Sequence, residues 1–208
     1  MKRMVLLAVL TLALPMAAFA TSVDFTNSHG VLTGSAAGLQ LTGSELIAVS
    51  GFGGGGLVTG NLGTLSFSTG ALASGDLQHG GTFAGGTGST FDITSNGTGG
   101  MPKGAIFTGS FSGPVTWTMV TLANGTHNYT LTGAISGIWS VGGQTLSGAT
   151  VQLTINTGKG YFNGHTRISS GDTNVLTSSV PEPGTLGLLG TGLVGLAGVL
   201  HRKVKSIS

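Results

Sequence analysis

Glycine is the feature that most limits what this chain can fold into. All but six of its 40 glycines fall between residues 21 and 180, about one residue in five there. Gly costs backbone entropy in helices and strands alike, but only Gly enters positive-φ turns and the tightest strand contacts without penalty. No segment of this region shows the 3.6-residue period of an amphipathic helix. Short apolar and aromatic runs alternate with Thr and Ser between Gly-rich breaks, the pattern of many short strands joined by turns. Every aromatic residue except Phe19 lies in this region, and long like-charge runs are absent. Both features favour a packed β domain over a disordered tract.

The expected fold is therefore mostly β. We read residues 21–169 as a single irregular Gly/Thr/Ser-rich β-sandwich, with a β-solenoid as the alternative. Candidate strands are Phe25 with Val31 and Leu32, then Leu39–Leu41, Leu46–Val49, Leu62–Phe67, Phe91–Ile93, Ala105–Phe111, Val115–Leu122, Asn128–Ile138, Ala149–Ile155 and Gly160–Ile168. Thr-Gly-Ser/Ala phrases at residues 33, 42, 108 and 132 lack a fixed period and read as strand-end turns. Phe52–Gly56 and Gly80–Gly88 read as mobile loops, and residues 170–180 as a linker.

The clearest hairpin surrounds Asn124-Gly125. A two-residue loop would put the apolar sets of its two strands on opposite faces. A longer loop, about Ala123–His127, puts them on one face and pairs Met119 with Leu131.

The two ends differ from the middle. Lys2 and Arg3 precede an apolar run, and Ala18-Phe19-Ala20 supplies a small-x-small cleavage site. This is the layout of a signal peptide over residues 1–20, forming an N-terminal signal helix. At the other end, residues 184–200 form an apolar run rich in Leu and Gly. As a helix it would reach about 25 Å, a short transmembrane span against a hydrocarbon core of about 30 Å. The positive-inside rule keeps Arg202, Lys203 and Lys205 on the cytoplasmic side. Pro181 and Pro183 hold the intervening peptide extended and exposed.

Val180-Pro181-Glu182-Pro183, the Gly/Leu-rich run and the terminal basic cluster resemble the PEP-CTERM sorting signal, here over residues 181–205. The tail reads His201-Arg202-Lys203 and continues for five residues, where the family is usually Arg-rich. The resemblance implies an exopolysaccharide-producing Gram-negative bacterium. It also implies an exosortase that recognises Pro181, Glu182 and Pro183. The chain would be exported, held transiently in the inner membrane, then released to the cell surface or biofilm matrix.

Composition limits the chemistry. Residues 21–180 carry Lys103, Lys159 and Arg167 against Asp24, Glu45, Asp76, Asp92 and Asp172, a net charge of −2. That leaves no electrostatic footprint for nucleic acid. With no Cys, thiolate ligands and nucleophiles are excluded. Gly51–Gly56 lacks the Lys-Ser/Thr of a phosphate loop. His29, His79, His127 and His165 show no pairing with a carboxylate at ligand spacing, and no metal or cofactor is expected. The chain is read as non-catalytic. A carbohydrate-binding module would stack sugars on Trp117, Tyr129, Trp139 and Tyr161. A polysaccharide hydrolase would need two of Glu45, Asp76 and Asp92 in one cleft.

Overall fold

The computed structural model describes residues 21–140 and 144–177. The expected signal and membrane helices lie outside these residues. The described chain is strand-rich, with no α-helix and one 3-10 turn at Phe52–Gly54. Its strands are β1 (Thr21–Ser28), β2 (Val31–Ser35), β3 (Gly38–Ser50), β4 (Val58–Ser68), β5 (Leu72–Asp76), β6 (Gly80–Phe83), β7 (Thr90–Ser95), β8 (Gly104–Phe111), β9 (Val115–Thr121), β10 (His127–Trp139), β11 (Gln144–Asn156), β12 (His165–Arg167) and β13 (Ser170–Thr177).

All thirteen belong to one sheet, and every ladder is antiparallel. Following neighbours from β1 through β3, β4, β7, β8, β10, β11 and β13 leads back to β1. These eight strands form a closed barrel, which removes their free edges. The finding replaces the expected two-sheet sandwich. It also excludes the solenoid, whose coils stack strands in parallel. β10 is the branch point: β8 pairs with its C-terminal half and β9 with its N-terminal half. From β9 the sheet continues outward through β6 to β5. On the other side, β2 and β12 extend from β3.

Alternation sets the interior. Along β10, Tyr129, Leu131, Gly133 and Ile135 are buried while Thr130 and Thr132 face outward. Thr116 and Thr118 are likewise exposed on β9. An apolar interior under a Thr-rich exterior is the inverse of a membrane barrel, whose outer band must be apolar. The core contains Phe25, Phe67, Phe91, Phe107, Phe111, Val151, Leu153 and Val175, all buried. Phe91 packs edge-on against Phe107 at 6.1 Å and against Phe111 at 5.9 Å. Register shifts between β1 and β3, β3 and β4, β7 and β8, and β10 and β11 interrupt the ladders. Such bulges increase local twist and let a sheet bend toward closure.

Glycine makes room for the aromatics. Gly133 is buried, and a methyl group added there would meet the Phe111 ring at 2.7 Å. The Thr-Gly phrases at residues 108 and 132 lie inside β8 and β10, not at strand ends. Gly43 sits at a register shift within β3 with φ +64.

Other local expectations also change. The β9–β10 loop is Ala123–Gly125: the Gly125 N–H donates to Leu122 O at 2.8 Å, and the Leu122 N–H donates to Thr126 O at 2.8 Å. Gly125 supplies the positive φ, +78, that this three-residue turn requires. The apolar sets do share a face, but Met119 pairs with Tyr129, and Leu131 pairs with Trp117. The expected Met119–Leu131 pairing is two residues off because the loop has three residues and not five. The Gly80–Gly88 stretch contains β6, and Phe52 packs on Trp139 with ring centroids 5.6 Å apart.

The largest revision concerns residues 170–180. As far as Thr177 they form β13, paired to β1 through Thr21↔Thr177 and to β11 through Thr150↔Asn174. The barrel domain thus extends beyond residue 169. Gly171 and Thr173 occupy inward positions, so the segment lacks the apolar alternation that marks the other strands. Thr173 is fully buried, and its Oγ1 has no hydrogen-bond partner among the described residues.

Two substitutions test this packing. Gly133→Ala overpacks the core and is expected to cost about 1–3 kcal/mol, lowering Tm by roughly 3–10 °C in a domain of this size. Thr173→Val keeps the shape and removes the unpartnered hydroxyl, so it is expected to stabilise by about 1 kcal/mol in chemical denaturation.

Candidate functional site

The densest cluster of chemically capable side chains lies where the β5–β6 hairpin meets β9, β10 and the segment before β12. Asp76 builds the turn. Its Oδ1 accepts the Gln78 and His79 backbone N–H groups, each at 2.7 Å, and its carboxylate lies 3.1 Å from His79 Nδ1. These bonds orient two carbonyls of the turn toward the aromatics. Trp117 Nε1–H donates to Leu77 O at 2.9 Å, and the Tyr129 hydroxyl donates to Gln78 O at 2.6 Å. The Phe162 N–H in turn donates to the Tyr129 hydroxyl at 3.0 Å. The Trp117 and Tyr129 rings stack 5.0 Å apart at 20°, and Phe162 meets Trp117 edge-on at 5.4 Å. Both polar handles of this buried pair are satisfied, so the pair clamps the hairpin to the barrel.

Tyr161 lies at the rim of the cluster and is 47 % exposed. His127 stacks on it at 4.4 Å and 12°, and His79 stands 5.1 Å away at 54°. His127 is itself buried, with Nδ1 3.0 Å from Thr121 Oγ1.

The structure does not support the alternative of a sugar platform. Trp117, Tyr129 and Trp139 are all buried, because inward positions on β9 and β10 are where large rings pack. Trp139 lies between Phe25 at 6.0 Å and Phe52 at 5.6 Å. Tyr161 alone reaches the surface, and one face of its ring is taken by His127. The cluster corrects one further expectation, since His79 does pair with a carboxylate. Proximity along the chain, Asp76 to His79, was the available signal. The convergence of His127 and Tyr161 on that pair needed tertiary structure.

The candidate hydrolase carboxylates are not brought together. Glu45 pairs with Thr64, and Asp92 with Ser66, so β4 separates the two acids and they are offset by two residues. Strand geometry places their Cα atoms roughly 12 Å apart. Asp76 lies off the ring, in the side sheet. Among the described residues no three His, Asp or Glu side chains gather as metal ligands. A groove of about 380 Å³ runs past Thr33, Ser35, Gln40, Ser68 and Thr69, with no charged residue in its lining.

The remaining sequence-derived sites lie outside the described residues: Ala18 and Ala20, Pro181, Glu182 and Pro183, and Arg202, Lys203 and Lys205. Residues 179–203 match the PEP-CTERM protein-sorting motif. The chain carries a PEP-CTERM sorting signal. The motif takes in Pro181–Pro183, the apolar run, Arg202 and Lys203, and it ends two residues before Lys205. A PEP-CTERM motif implies processing by an exosortase at the membrane. No curated protein and no solved structure matches the chain. Among the described residues no helix is long and apolar enough to cross a membrane.

Two carboxylates of the domain titrate in opposite directions. Burial, helped by nearby Asp172, raises Asp24 above the ordinary 3.8. The His79 backbone N–H first, and its side chain second, lower Asp76 below that value. A raised carboxyl contributes stability below its unfolded pKa and loses it as pH rises through the folded value. A lowered one contributes above its unfolded pKa and loses it as pH falls through the folded value. Asp24→Asn is therefore expected to melt above wild type at pH 7, with the gap closing below about pH 4. Asp76→Asn is expected to melt below wild type at pH 7, with its gap closing as pH falls. Thermal melts across pH 3–7 check both signs.

Proposed function

We propose that this is a non-catalytic exported protein of the cell surface or extracellular matrix, sorted by an exosortase in an exopolysaccharide-producing bacterium. The observation that carries the reading is the PEP-CTERM motif at residues 179–203. In this scheme residues 1–20 direct export and are removed after Ala20. Residues 184–200 hold the chain transiently in the inner membrane, with Arg202, Lys203 and Lys205 on the cytoplasmic side. The exosortase reads Pro181, Glu182 and Pro183, a stiff extended peptide suited to an enzyme cleft, and releases the barrel.

The non-catalytic part of the reading draws on the scattered carboxylates and on the structural employment of Trp117, Tyr129 and Asp76. Contact with exopolysaccharide would then fall to the Thr- and Ser-rich outer faces, which offer many neutral hydroxyls and little charge. Such a surface favours weak, distributed hydrogen bonding over a single deep site.

Intact mass of the native protein, from washed cells and from culture fluid, tests the reading. The expected species starts at Thr21 and ends within Pro181–Pro183. A chain that always retains Gly184–Ser208 would be a permanently anchored protein, and the exosortase reading would have to be abandoned.

A further inference from the structure

The last strand of the barrel and the sorting motif nearly touch along the chain. β13 ends at Thr177, and the matched motif begins at residue 179. The two ladders of β13 stop at different places. Pairing with β11 covers Ser170 to Asn174, whereas pairing with β1 runs from Gly171 to Thr177. Among the described residues, Val175, Leu176 and Thr177 are therefore held by one neighbour, β1. Val175 is fully buried and anchors this last part of the strand. Its partner on β1 is Val23, and Thr21 opposite Thr177 is the first residue after the expected signal cleavage.

A cleft that cleaves a peptide near Pro181–Pro183 has to accept residues on the N-terminal side as well. Within four to six residues of those prolines the backbone is already committed to β1. The N–H and C=O groups that it directs to β1 cannot serve the sheet and an enzyme cleft together. Six residues, 178 to 183, reach at most about 20 Å when fully extended.

We propose that the sorting step is gated by β13, such that the rungs at Val175, Leu176 and Thr177 must fray from β1 before the motif seats in the processing enzyme. One-sided pairing suits these rungs to local opening, while the doubly paired part from Gly171 to Asn174 keeps the barrel closed. The device leaves the mature domain intact, because cleavage at the motif falls beyond the last rung. The inference rests on the exosortase reading above.

The test follows conversion of the full-length chain in its native producing cells by pulse-chase and mass. Three chains are compared: wild type, a variant with six Gly/Ser residues inserted between Ser178 and Ser179, and Val175→Ala. The insertion supplies free upstream peptide without touching the barrel. It is expected to convert roughly threefold faster or more, and Val175→Ala to convert faster than wild type. An insertion variant that converts at the wild-type rate or slower overturns the gate. So does acceleration of Val175→Ala alone, which would report general loosening of the fold. A wild-type chain that never converts removes the exosortase reading instead, and the gate with it.

Discussion

The structure depends on closure of one hydrogen-bonded ring, and β13 makes that closure. Without it, β1 and β11 would present open edges beside a core that includes Phe25, Val151 and Leu153. Exposed edges of this kind template association with other chains. The ladders of β13 with β1 and β11 convert an open sheet into a barrel, and the remaining β9–β6–β5 and β2–β12 extensions are additions to it. The chain thus joins its first described strand to its last, so the domain is completed only when residue 177 is in place.

Glycine and aromatic residues divide the interior between them. Large rings such as Phe91, Phe107 and Phe111 fill the barrel, and glycines such as Gly133 leave the space they occupy. The high glycine content that first suggests a loose chain is partly a packing device. It is offset by polar clamps of high specificity, of which the Trp117 and Tyr129 bonds to the Leu77 and Gln78 carbonyls are the clearest. These two rings are thereby committed to holding a hairpin against the barrel. Asp76 has the same kind of employment, ordering a turn through three short-range bonds.

Much of the strand content was legible because it rests on local alternation. The runs around Phe67, Phe91, Phe107 and Leu131 all lie in strands, and the shared apolar face of β9 and β10 followed from parity. The register did not, since two residues of loop length move Met119 from Leu131 to Tyr129. β13 was missed because Gly171 and Thr173 fill inward positions where alternation calls for apolar side chains. β5 and β6 were missed because Gly-rich stretches carry no pattern. The aromatic platform stayed an alternative for a related reason: a Trp or Tyr has the same identity in a core and on a surface, and only burial distinguishes the two.

The sequence by itself determined the β class and the PEP-CTERM sorting signal with its flanking prolines, apolar run and basic residues. Those properties reside in contiguous residues, so order along the chain is sufficient to read them. Only the tertiary structure decided that the strands close into a ring, that Trp117, Tyr129 and Trp139 are all buried, and that β13 pairs with β1 as far as Thr177. Each of these depends on contacts between residues far apart in the chain. Such contacts are selected by the summed burial and hydrogen bonding of the whole domain, and no local pattern encodes that sum.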